Sequence, residues 1–327
     1  MHILIIGAAG MIGAKLAARL AKDGTLGGTP IDRMSLVDVV APQPPAGAEF
    51  KVAASAEDLS APGAAERAVI GRPDVIFHLA AIVSGEAEAD FEKGYRVNFD
   101  GTRNLFEAIR RAGDGYRPRL VFTSSIAVFG APFPDAIRDD FFETPLTSYG
   151  TQKAVGELLL ADYTRRGFFD GIGIRLPTIC VRPGRPNLAA SGFFSNIIRE
   201  PLAGKEAVLP VPENVRHWHA SPRSAIGFLI HAAMLDGTEV GSRRNITMPG
   251  LSVTVAEQIA ALRKVAGDKV VARIRREPDA TIMRIVEGWP RNFAPERAVA
   301  LGFKADPSFE DIIRIHIEDE LGGKFVP

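Results

Sequence analysis

Short apolar runs rich in β-branched residues recur through the first half of the chain: HILII (2–6), MSLVD (34–38), DVIFHL (74–79), RLVFT (119–123) and GIGIR (171–175). Each reads as a buried strand. Between them lie MIGAKLAARLAKD, FEKGYRVNFDGTRNLFEAIRRAG and SYGTQKAVGELLLADYTRRG, whose apolar residues return at helical spacing. Strand alternating with helix predicts an α/β fold built on a Rossmann-type, doubly wound parallel sheet, because a parallel crossover needs a helix to carry the chain back. After about residue 180, prolines and glycines in VRPGRPN, REPLAGKE and LPVPENV cut the chain into shorter pieces. The expected division is therefore a first domain over 1–180 and a smaller, mixed α/β lobe over 181–327, with interleaving between them open. In the lobe, helices are expected near 192–200, 222–235, 253–266 and 308–321, and short strands near 206–209 and 243–247.

The first strand ends in GAAGMIG, which sets Gly7, Gly10 and Gly13 at the mouth of a helix. A glycine triplet alone is weak evidence, since glycine also serves ordinary turns. Its place between a strand and a helix makes it a pyrophosphate site: one glycine for the turn, one for close approach of the anion, one for helix packing. The amides near Met11 and Ile12 then point at the phosphates. Asp38 closes the next strand, where a carboxylate accepts both ribose hydroxyls and repels a 2′-phosphate, which favours NAD over NADP. The insert TLGGTPIDR makes its distance from the glycines longer than usual, and Arg33 lies before the strand, on the wrong side to answer a 2′-phosphate. Asp58 and Leu59, after a third strand, are placed to flank the adenine, with an ordinary loop aspartate as the alternative. HLAA (78–81) offers Ala80 and Ala81 as small side chains for a dinucleotide to pass. For Asn98 in VNFDGT, tying the central strands together and ordering a water both stay open.

Tyr149 and Lys153 stand four positions apart in SYGTQKAVGELLL, on one face of a helix. A phenol that ionises near pH ~10 needs about 4 kcal/mol of preferential stabilisation to serve as a base near neutrality, and a neighbouring ammonium supplies much of that. Y-x-x-x-K is common by chance, so its weight comes from VFTSSIAVFG, where a strand ends in Thr123, Ser124 and Ser125. The carboxyl ends of parallel strands are where ligands bind, and a hydroxyl there can hold a reacting oxygen.

Charge and composition remove competing classes. Lysine plus arginine equals aspartate plus glutamate, 39 each, which leaves no overall field for nucleic acid or an anionic membrane. No apolar run reaches the ~20 residues of a membrane-spanning helix. MHILIIG leads straight into a strand without the features of a secretory signal, and Cys180 is the only cysteine, so the cytoplasm is the expected compartment. His217 and His219 flank Trp218 and share one strand face, but no carboxylate completes a set beside them, so no metal is expected.

Taken together, GAAGMIG, HLAA, VNFDGT, TSSIAVFG, SYGTQK and RLPTICVRPG follow the order of the extended short-chain dehydrogenase/reductase family, which the chain resembles over nearly its whole length. The resemblance implies NAD as cofactor, Ser125 and Tyr149 at the reacting oxygen, and Lys153 on the nicotinamide ribose. It also puts Thr178 among the cofactor contacts. Ser125 is preferred to Ser124 because it lies four residues before Phe129, which stands where the family usually has tyrosine. Two branches compete. Nucleotide-sugar epimerases of this kind resemble R-Y-F-N after the sixth strand, where this chain has Arg175-Leu176-Pro177-Thr178, and their second-lobe acids are missing from RHWHASPR, which carries His217 and Arg223. The insert after α-helical residue 23 and the run from HLAA to TRNL resemble instead the branch that oxidises the C2 hydroxyl of a small sugar acid, D-erythronate, to 2-dehydro-D-erythronate. A sugar acid needs its carboxylate held, for which Arg182 and Arg216 are candidates beside Ser84 and Gly85. Arg182 serves a structural ion pair equally well. Two other readings stay in view, an epimerase with retained NAD and a non-catalytic NAD sensor. The resemblance further implies a homodimer through helices around 90–113 and 147–166.

Overall fold

A computed structural model describes residues 1–184 and 190–327. Its internal contacts divide the chain into two compact units. The first comprises Met1–Val128, Thr147–Arg175 and Ile226–Thr247, and the second Phe129–Leu146, Leu176–Ala225 and Met248–Pro327.

The first unit is built on a seven-stranded sheet: β1 (His2–Ile6), β2 (Arg33–Asp38), β3 (Lys51–Ala56), β4 (Val75–His78), β5 (Arg119–Ser125), β6 (Asp170–Leu176) and β7 (Asn245–Thr247). They lie in the order β7-β6-β5-β4-β1-β2-β3. The pairings of β1 with β2 and β4, of β2 with β3, of β4 with β5 and of β6 with β7 are all parallel. Residues 3–6 of β1 are buried to 1% exposure or less, which is why this strand reads as an unbroken apolar run: helices cover both of its faces. β3 is different. As the sheet's edge it has mostly exposed residues, so KVAASA carries no apolar run. The short strand expected near 243–247 does form, as β7, but it extends the large sheet by pairing with residues 173–175 of β6.

The helices α1 (Met11–Asp23), α2 (Gly101–Arg111) and α3 (Ser148–Arg165) fall where the helical spacing puts them. Residues 95–100, just before α2, form a π-helical turn that the amphipathic pattern does not reveal. Phe106, Phe122, Leu160 and Phe169 join helix faces to the sheet in one buried cluster. Gly156 lets α3 come down on β5: a methyl group there would meet the Phe122 ring at 2.8 Å.

The second unit contains a small sheet of Thr178–Ile179, Arg216–Ala220 and Leu251–Thr254, the first pairing parallel and the second antiparallel. Helices Gly192–Leu202, Val255–Ala266 and Phe309–Leu321 bury Phe194, Ile198, Ile259, Leu262, Ile312 and Ile313 together. Among the described residues no helix is long and apolar enough to cross a membrane.

Candidate active site

The chain runs outward from β1 to β3 and then returns to β4 on the other side of β1, so the carboxyl ends of β1 and β4 flank a topological switch point. The glycine loop sits there. Gly7 has φ +89°, and a side chain on it would lie 2.6 Å from the Ala80 nitrogen. A side chain on Gly13 would lie 2.2 Å from the Gly7 carbonyl oxygen. These two glycines are demanded by the protein's own backbone. Gly10 is not: a methyl group there meets only the Gly7 oxygen, at 3.4 Å, and the residue is exposed. Gly10 is also the N-cap of α1 and has no side chain to cap it, so the first-turn amides at Met11, Ile12 and Gly13 keep an open cradle that a side chain would fill. A dinucleotide pyrophosphate fits such a place.

Asp38 reaches the same loop. Its carboxylate accepts from the Ala9 amide at 2.9 Å and from the Val39 amide at 2.7 Å. The long insert does not displace it, because Thr25–Leu26 and Thr29–Pro30 fold back as a hairpin around Gly27 and Gly28, both at positive φ. Gly-Gly between short extended pairs was the available signal for that turn. Arg33 begins the strand that Asp38 ends, at the far edge from the loop. Asp58 is bound by the Ser60 amide and hydroxyl and by Arg96, and Leu59 is buried in the helix-sheet cluster. Ala80 and Ala81 are half-buried beyond β4. Asn98, aimed by the π-helical turn, accepts from the Ile82 amide at 2.9 Å and donates to the Ile82 carbonyl and to Gln152 Oε1 at 2.8 Å. It ties the loop after β4 to α3.

The strand end of β5 and the first turns of α3 hold the residues expected to carry the chemistry. Thr147 caps α3 by accepting from the Gly150 amide, which fixes the turn that bears Tyr149. Tyr149 is half-buried. Lys153, one turn on, is 3% exposed, and its ammonium donates to the Thr123 carbonyl at 2.8 Å. It lies 4.9 Å from the Phe122 ring centre and 5.8 Å from that of Tyr149. Burial pushes Lys153 down to about 8, with the Glu157 carboxylate opposing the fall. Serines alternate across the strand: the Ser124 hydroxyl is buried on Glu157 at 2.5 Å, whereas Ser125 is half-buried and accepts from the Ala127 amide. Glu157 and Gln152 are polar side chains buried on α3 that no motif marks; their only signal is an acid or amide on the helix face that the apolar spacing assigns to the core.

Ser84 and Gly85 open the short helix 84–89 after β4. In the second unit, the Thr178 hydroxyl is 2.7 Å from His217 Nε2, and His217 Nδ1 is 3.0 Å from the Pro290 carbonyl, so both ring nitrogens are engaged. Burial pushes His217 down to about 4. Arg182 donates to the Ile179 carbonyl and to the Ser191 hydroxyl. Arg216 donates to the Ser252 carbonyl at 2.7 Å and pairs with Glu257 at 3.2 Å.

Residues 3–220 match the NAD dependent epimerase/dehydratase family. The chain belongs to that family. Within it, this family member is 49% identical to the D-erythronate dehydrogenase of Cupriavidus necator, over 98% of each chain. It is 42% identical to the D-erythronate dehydrogenase of Haemophilus influenzae, over 98% of this chain and all of the other. The crystal structure of a nucleoside-diphosphate-sugar epimerase from Agrobacterium tumefaciens is 70% identical and superposes with a TM-score of 0.97, covering 99% of this chain and 95% of that one.

Proposed function

We propose that this family member oxidises D-erythronate at C2 to 2-dehydro-D-erythronate, with NAD as cofactor. The observation that carries the reading is a buried ammonium, Lys153, held against the ring of Tyr149 in a chain alike over nearly its full length to two D-erythronate dehydrogenases. Gly7, Gly10, Met11, Ile12 and Gly13 hold the pyrophosphate, and Asp38 accepts the ribose hydroxyls. Asp58, Leu59, Ala80, Ala81, Asn98 and Thr178 complete the assigned cofactor contacts. Bound NAD supplies the acceptor for the hydride that leaves C2. Tyr149, as phenolate, takes the proton of the C2 hydroxyl while the C–O bond becomes a carbonyl, and the Ser125 hydroxyl steadies that oxygen. Lys153 keeps the phenolate accessible near neutral pH and binds the nicotinamide ribose. For the substrate carboxylate the residues put forward are Ser84, Gly85, Arg182 and Arg216; each arginine must share or leave bonds that it now makes.

The test is NADH formation by the purified protein across a panel of aldonic and uronic acids. Release of NADH with D-erythronate supports the proposal, and none with any acid sinks it. The epimerase name of the 70% identical neighbour favours a second reading, a nucleotide-sugar epimerase, which predicts sugar interconversion with no net NADH. Leu176-Pro177-Thr178 and the sequence RHWHASPR argue against it. Binding of NAD without any turnover would instead mark a sensor.

The protein is further assigned to the cytoplasm and to a homodimer through α3 and the helical stretch 91–111. Phe91, Tyr95 and Phe99 form an aromatic ladder there, with ring centres 4.6 and 6.4 Å apart. Phe91 is 58% exposed and Leu158 on α3 is 68% exposed, an apolar surface that a second copy would cover. Leu158→Glu is expected to give a monomer in light scattering.

A further inference from the structure

Glu157 lies one turn beyond Lys153 on α3 and is fully buried. Its carboxylate accepts from the Ser124 hydroxyl of β5 at 2.5 Å, and from Arg175 of β6 through Nε at 3.0 Å and Nη2 at 2.6 Å. Its backbone carbonyl accepts from Asn245 of β7 at 3.2 Å. One residue of the helix is thus tied to three neighbouring strands. Taking an ion pair out of water is costly, and apolar side chains of the same shape often serve packing as well or better. A buried Glu–Arg pair at this place therefore calls for a use beyond packing.

The charges around it supply one. Lys153 and Arg175 flank Glu157, while His78, the titratable group near Lys153 from β4, is pushed down to about 3 by burial and stays neutral. Ser124 on β5 and Asn245 on β7 bring no charge. Without the carboxylate, the Lys153 ammonium would lose the charge that opposes the effect of its burial, and lysine, unlike arginine, gives up its proton in a dry site. Ser124, which Glu157 anchors, also immediately precedes Ser125.

We propose that Glu157 is a positioning residue of the reaction: a buried anion that keeps Lys153 an ammonium and fixes the end of β5, so that the Tyr149 phenolate forms beside a cation rather than a neutral amine. This rests on Tyr149 being the base, as assigned above. Losing the anion also favours the phenolate directly, but Tyr149 is eight residues away, about 12 Å along the helix, twice the separation between Glu157 and Lys153. The loss acting through Lys153 wins.

The experiment is a pH titration of the Tyr149 phenolate absorbance in the apoprotein, with the Tyr149→Phe background subtracted, for the wild type, Glu157→Gln and Ser124→Ala. Glu157→Gln keeps the shape and an acceptor for Ser124. It is expected to raise the midpoint by about one pH unit and to lower kcat about tenfold near neutrality, with recovery at higher pH and rescue by Glu157→Asp. Ser124→Ala leaves the charges and is expected to leave the midpoint. An unmoved midpoint in folded Glu157→Gln overturns the proposal. Should that variant not fold, the double variant Glu157→Gln with Arg175→Met is titrated against Arg175→Met alone, so that the two differ only in the carboxylate, and an unmoved midpoint between them overturns the proposal equally. A wild type that makes no NADH counts against the function, while the titration still reads the role of Glu157.

Discussion

Lys153, in the first unit, and Arg216, in the second, are both cations put forward for work on an anionic or developing charge, and their surroundings differ sharply. Lys153 is sealed under Phe122 and Tyr149 with one carbonyl to donate to, and burial holds it well below the ordinary lysine range. Arg216 is half-exposed, bonded to the Ser252 carbonyl and to Glu257, whose own side chain completes the capping box of helix 255–266. A cation kept dry and away from its ordinary protonation behaviour is under a strain that folding alone does not require. A cation bonded to its own sheet and helix is explained by fastening them. Arg182, bonded to Ile179 and Ser191, is of the second kind.

The contrast is sharpest in Tyr149→Phe. Removing the phenolic oxygen is expected to lower kcat about a thousandfold while NAD still binds, measured by NADH formation and by a direct binding titration. Should turnover survive, Lys153 has no phenolate to serve and the contrast loses its meaning. Next in size is a trade between stability and activity at Lys153 itself. In the folded protein it titrates at about 8, against ~10.4 unfolded, so below pH 8 the ammonium is present in both states and its burial cost is complete, and above ~10.4 the cost is gone. Lys153→Met is therefore expected to abolish turnover yet stabilise the apoprotein by about 2 to 3 kcal/mol near pH 7, a gain that fades between pH 8 and ~10.4 in denaturant titrations.

The glycine loop gives a comparison within one motif. Gly13→Ala drives a methyl group onto the Gly7 carbonyl and is expected to cost about 2 kcal/mol of stability. Gly10→Ala, with no such clash, is expected to keep the melting temperature and weaken NAD binding about tenfold. The smallest effect belongs to the second unit: Arg216→Met breaks a half-exposed ion pair and is expected to change stability by less than about 1 kcal/mol. A large rise in KM for the acid in that variant, with stability unmoved, would transfer Arg216 to the chemical class.

The same division governs what the sequence makes legible. Gly7, Gly10, Gly13, Asp38, Tyr149 and Lys153 announce themselves because the work proposed for them depends on local geometry: a turn, a strand end, one face of a helix. The long apolar strands and amphipathic helices are legible for the same reason, down to helix 309–321 within a residue. β3 was less visible because a sheet edge does not demand apolar residues, and the place of β7 was not visible because three residues carry no address for their partner. Glu157 is the instructive omission. Its partners come from residues 124, 175 and 245, and only the folded sheet brings them to one carboxylate.

The distribution of the chain has a consequence for synthesis. Six strands of the large sheet are complete once residue 176 has been made, but the seventh arrives only with residues 245–247, after much of the second unit has been threaded out. Until then β6 is a bare margin, and Asn245 is not yet there to hold the helix carbonyl of Glu157. A nascent chain arrested before that point would carry the glycine loop and Tyr149 while still offering an open border to any other strand in reach.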